Sequence, residues 1–127
     1  MLITATTEYA TAITDKTFRV TAERLVMQCG VRADLKGFRR LADAIIVYGT
    51  GLCTEFCRIY RIIGDINGLQ SKTVMREITY AIRQSIGMPA KLSALVGFEI
   101  PETEIHSGLV IAYLGKLFKN PELSVYA

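Results

Sequence analysis

Lys72, Arg76, Thr79 and Arg83 recur at spacings of three and four residues, so on an α-helix they fall within about 60° of one another. Tyr80 borders that arc. Three cations, a hydroxyl and an aromatic ring along one strip suit phosphate oxygens and base edges in a DNA major groove. On the opposite side of the same helix Val74, Ile78, Ala81 and Ser85 cluster within about 60°, with Ile82 at the edge. That side is small and apolar, fit for packing. An ordinary amphipathic helix with a solvated basic face has the same pattern, so spacing alone leaves both readings open.

Other reactive residue types form no comparable set. Cys53 and Cys57 are four apart and would share a helical face, but with Cys29 and the single histidine, His106, they give no recognisable metal-ligand pattern. Buried, inert thiols are the expectation. His106 has no paired nucleophile and is expected to serve near the start of a helix. Gly49-Thr50-Gly51 lacks the preceding strand and following lysine of a phosphate loop and reads as a turn between helices. Phe38 and Tyr48 are expected in the core. No catalytic residues, metal site or cofactor are expected, and no enzymatic activity.

The strip depends on the helices around it. Thr21 is a candidate N-cap for a helix that Gly30 stops. Gly37 opens a second helix carrying Phe38, Leu41, Ile45 and Tyr48 at helical spacing. Thr54 would cap a third, with Phe56, Ile59, Tyr60 and Ile63. Asn67-Gly68 is a turn pair, and Ser71 starts the helix bearing the strip, which is expected to run to Gly87. Pro89 suits the first turn of a short fifth helix ending at Gly97. The last helix, from about Glu104 to Lys119, presents Leu109, Val110, Tyr113, Leu114 and Leu117 on a wide apolar face. The expected architecture is all-α: a six-helix single domain over residues 21–119 containing a helix-turn-helix. Residues 1–20 are expected to form an N-terminal arm, whether short strand, loose segment or frayed helix, and residues 120–127 a tail.

A chain of 127 residues, half of them apolar and 21% charged, is long enough for one cored domain and too apolar for a disordered one. Its longest apolar run, Leu109 to Leu114, is far short of the roughly 18–20 residues of a membrane span. Met1 to Ala10 has no basic start and apolar stretch of a secretory signal, and the three cysteines fit a reducing, cytoplasmic setting. The net charge of +3 conceals an uneven distribution. Between Lys16 and Lys91 there are 13 Lys and Arg against 6 Asp and Glu, while both ends are acidic. A basic middle suits a polyanion partner.

The stretch Gly30-Val31-Arg32-Ala33-Asp34-Leu35-Lys36-Gly37-Phe38, followed by Leu41 and Ala44-Ile45, resembles the opening signature of the C-terminal effector domain of the sporulation master response regulator. Val74-Met75-Arg76-Glu77-Ile78-Thr79-Tyr80-Ala81-Ile82 is similar to that family's recognition helix. Leu95-Val96-Gly97-Phe98 and the segment from Ser107 to Leu117 follow in the family's order. The resemblance covers about residues 21–119 and implies a six-helix domain that binds operator repeats as tandem or dimeric copies. It departs from the family at Met75 and Thr79, where the family carries an acidic residue and an arginine. Arg32 and Asp34 replace its proline and histidine, and the loop Glu99 to Glu104 is shorter and acidic. No receiver domain is expected ahead of the resembling stretch.

These readings lead to a DNA-binding regulator. Arg76 would reach a base edge, Lys72 and Arg83 would hold phosphates, Thr79 and Tyr80 would shape the contact, and Lys36 would support the backbone. Double-stranded DNA is the expected partner, with a second copy or a full-length relative joined through the last helix or a terminal segment. The alternative is a protein-interaction module that keeps the fold without base readout.

Overall fold

The stretch Leu41 to Val47 is apolar at every position except Asp43, and a helix of that composition has no side to offer solvent. In the computed structural model, which describes residues 2–120 and side chains from residue 7 onward, every residue from Leu41 to Val47 is buried. The elements are α1 (Leu2–Thr14), α2 (Lys16–Gln28), α3 (Lys36–Gly49), α4 (Phe56–Asn67), α5 (Ser71–Arg83), α6 (Met88–Val96), a 3-10 turn (Glu102–Glu104) and α7 (Ser107–Lys119). No strand occurs among the described residues. The helix α3 is the hub, packed against α1, α2, α4, α5 and α7.

Asp43 is the polar exception in that hub, 3% exposed. Arg19 of α2 donates to its carboxylate and, through its other arm, to Glu23 at 2.7 Å. Burial pushes the Asp43 carboxyl above the usual aspartate range, while Arg19, Arg40 and Arg39 pull the other way. The pair ties α2 to α3, its attraction offsetting the cost of burying the two charges.

The fold is all-helical, with seven α-helices among the described residues where six were expected. The difference lies at the N-terminus. Residues 1–20 were expected as an arm, yet α1 spans Leu2–Thr14, and the start of α2 lies before residue 21. Ala12 and Ile13 are buried in the common core, and the Tyr9 hydroxyl donates to Leu52 O at 3.4 Å. The cap of α2 is Asp15, whose carboxylate accepts from Phe18 N at 3.0 Å, and not Thr21. Thr21 lies inside the helix and its hydroxyl bonds back to Thr17 O. The threonine-rich composition hid a helix that seats Ala12 and Ile13 in the core.

Two further boundaries move. The helix α5 ends at Arg83, four residues short of Gly87, and α7 begins at Ser107 because Pro101 to Glu104 is taken up by the 3-10 turn. His106 caps α7, its Nδ1 accepting from Leu109 N at 3.3 Å, as its place in the chain suggested. The apolar side of α7 is spent inside the domain. Val110, Ile111, Leu114 and Leu117 are buried against α3 and α2, and Phe118 meets Phe18 edge-on at 5.5 Å. That leaves α7 little apolar surface for a second copy. The tail expected to assist, from Pro121 to Ala127, lies outside the described residues.

Candidate nucleic-acid interface

The segment Gly68 to Gln70 joins α4 to α5. Gly68 has φ +68°, the left-handed region that favours glycine, which ends α4 and reverses the chain. Leu69 N then donates to Gly64 O at 2.8 Å, folding the turn onto the last turn of α4. A Cβ on Gly64 would stand 2.4 Å from Leu69 O, so the turn closes only over glycine. Asn67-Gly68 thus forms the turn that the sequence indicated.

The inner face of α5 matches its pattern. Val74, Ile78 and Ala81 are fully buried and Ile82 is 7% exposed, packed between α3 and α4. Ser85 lies beyond the end of the helix, half-buried, its hydroxyl on Ile82 O. With that face fixed, the opposite one is turned outward. Lys72, Arg76, Tyr80 and Arg83 are exposed and Thr79 is half-buried. Lys72, Arg76 and Arg83 form no salt bridge among the described residues. Met75 and Tyr80, 42% and 55% exposed, flank the cations. The result is a strip of unpaired positive charge edged by two large side chains.

Lys36 is exposed at the first turn of α3 and does not belong to the strip itself. It stands beside α5 because its neighbour Gly37 is in close contact with that helix. A Cβ on Gly37 would lie 2.0 Å from Glu77 O and 2.6 Å from the Ala81 Cβ. One turn on, Arg40 Nε donates to Glu77 Oε1 at 3.1 Å, and its Nη1 reaches Asn67 Oδ1 at 3.4 Å. The sequence pattern did not bring Arg40, Glu77 and Asn67 together: they are separated by up to 37 residues and lie on three helices.

The charge is not uniform along α5. Arg83 at its end shares an open cleft of about 440 Å³ with Glu102 of the 3-10 turn. The acidic loop thus borders the C-terminal end of the strip, away from Lys72 and Arg76 in the first half of the helix. Other unpaired cations include Arg39 on α3 and Arg58 and Arg61 on α4, all exposed.

The cysteines form no shared site. Cys53 precedes α4 and is buried, whereas Cys57 lies in the first turn of α4 and is exposed, so the two do not share a helical face. The expectation of buried thiols fails at Cys57, which falls outside the arc of Ile59, Tyr60 and Ile63 that α4 turns to the core. Cys29 is buried, and desolvation pushes its thiol up to about 12. Among the described residues no group of three His, Cys, Asp or Glu is placed to hold a metal ion, and no helix is long and apolar enough to cross a membrane.

Comparisons with protein-family models, curated proteins and solved structures find no match to this chain.

Proposed function

We propose that this domain is a DNA-binding transcriptional regulator in which α4 and α5 act as a helix-turn-helix and α5 is the recognition helix. The observation that carries the reading is the unpaired strip of Lys72, Arg76 and Arg83 on a helix whose other face is locked into the core. A well-seated helix exposing several cations over about three turns suits the width and charge of a major groove. The acidic loop bordering Arg83 favours entry by the N-terminal half of α5, with Arg76 on a base edge and Lys72 and Arg83 on flanking phosphates. Thr79 and Tyr80 shape the contact, and Lys36 meets the backbone from the side. The sequence resemblance to the sporulation effector domain supports the same use of this helix. One such helix covers few base pairs, so two copies, or one with a full-length relative, complete a site.

A protein-interaction role has one observation in its favour: Met75 and Tyr80 are exposed on the same helix, and exposed large side chains of this kind serve protein contacts well. Two substitutions separate the readings. Arg76→Ala is expected to cost about 1–3 kcal/mol on a preferred duplex and to relax preference at one base position. Lys72→Ala is expected to weaken all duplexes alike and to reduce the salt slope by roughly one unit. Equal effects from both, measured by fluorescence anisotropy, would mean that the strip is merely solvated.

A further inference from the structure

Beyond the apolar packing of α5 on α3, two contacts one turn apart on α3 converge on Glu77. At the first, Gly37 lies against the Glu77 carbonyl. At the second, Arg40 Nε holds the Glu77 carboxylate at 3.1 Å. The side chains of Arg40 and Glu77 are 16% and 18% exposed, too enclosed for a casual surface pair. The other arm of Arg40 reaches Asn67 Oδ1 at the last residue of α4, and Asn67 Nδ2 donates to Ile63 O at 2.7 Å. One guanidinium thus connects α3, the end of α4 and the middle of α5, on either side of the turn that joins the latter two.

The geometry points to Arg40 as a positioning residue that sets the rotation of α5 about its own axis, and so which side chains of the Lys72–Arg83 strip face a duplex. This rests on the reading of α5 as the recognition helix. Glu77 follows Arg76 directly, so holding its carboxylate toward α3 fixes the neighbouring Cα and aims Arg76 outward. A fork with fixed N–H directions does this where an ammonium cannot, because it bonds two acceptors on two helices at once. Arg40 also keeps the Glu77 charge matched beside a surface meant for phosphates. Hydrophobic packing is non-directional, so Val74, Ile78 and Ala81 seat α5 on the core, whereas the directional bonds of Arg40 to Glu77 and Asn67 specify its rotation.

The test begins by selecting preferred duplexes from a random-sequence pool with the intact protein. Affinity is then compared for the selected duplex and an unrelated one, in Arg40→Lys, Arg40→Met, Glu77→Ala and the Arg40→Met/Glu77→Ala double variant. The ratio of the two affinities is expected to fall about tenfold or more in Arg40→Met and in Glu77→Ala, and no further in the double variant. Arg40→Lys, which keeps the charge and the fold but reaches only one acceptor, is expected to lose several-fold in the ratio while binding the unrelated duplex within about twofold of the parent. A change in folding alone would lower both affinities together and leave the ratio unmoved. An unchanged ratio in Arg40→Lys and Glu77→Ala, or losses that multiply in the double variant, overturns the positioning role and leaves the DNA reading standing. Failure of the parent protein to enrich any duplex overturns that reading, and this role with it.

Discussion

Ile78→Ala is expected to lower the unfolding free energy by about 2–5 kcal/mol. Ile78 is fully buried in the middle of α5, on the face that meets α3 and α4. Truncation forfeits the transfer energy of the lost carbons and leaves a cavity that three packed helices fill only by moving. Domains of this size commonly have about 5–15 kcal/mol in total, so the loss is a large share. The same substitution leaves Lys72, Arg76 and Arg83 in place, so whatever DNA affinity survives at low temperature reports on how firmly α5 is seated. Chemical denaturation with circular dichroism detects the shift. A change under about half a kcal/mol would show that the apolar face of α5 is not its packed face.

Gly37→Ala is expected to destabilise by about 2–3 kcal/mol, against the usual preference of helices for alanine. In an open helix position the exchange gains about 1 kcal/mol. Here the new Cβ would lie 2.0 Å from a backbone oxygen, Glu77 O, which has no rotamer by which to escape. The helices must part, and the separation falls where Arg40 holds Glu77. Thermal melting should show a clear drop. A midpoint unchanged or raised would mean that α3 and α5 are not in backbone contact at this point.

The two positions differ in how far sequence reveals them. Ile78 is legible from periodicity, since Val74, Ile78, Ala81 and Ile82 repeat at helical spacing and all four prove buried. The exposure of Lys72, Arg76, Tyr80 and Arg83 follows from the same period. Gly37 is visible as a glycine near a helix start, but its partner Glu77 lies forty residues away, and no local pattern announces a close crossing. The Arg40 bridge is hidden for the same reason: each of its ends looks like an ordinary surface charge. Residues 1–20 misled by composition. Threonine and alanine are weak markers of an apolar face, and the helix break at Asp15 depends on a cap whose partner, Phe18 N, is a backbone group. The apolar arc of α7 was correctly seen but its use was not, because whether a wide face meets its own core or a second copy is decided by the other helices.

The most direct measurement of the central claim is a titration of the intact protein against genomic duplex fragments at a series of salt concentrations. Each phosphate neutralised contributes about −0.9 to the slope of log affinity against log salt. With Lys36, Lys72 and Arg83 on phosphates, the expected slope is about −3 for each bound copy, with some fragments bound more tightly than others. Absence of binding at low salt, or binding that salt leaves unchanged, would contradict the account of α5 as a helix that reads DNA.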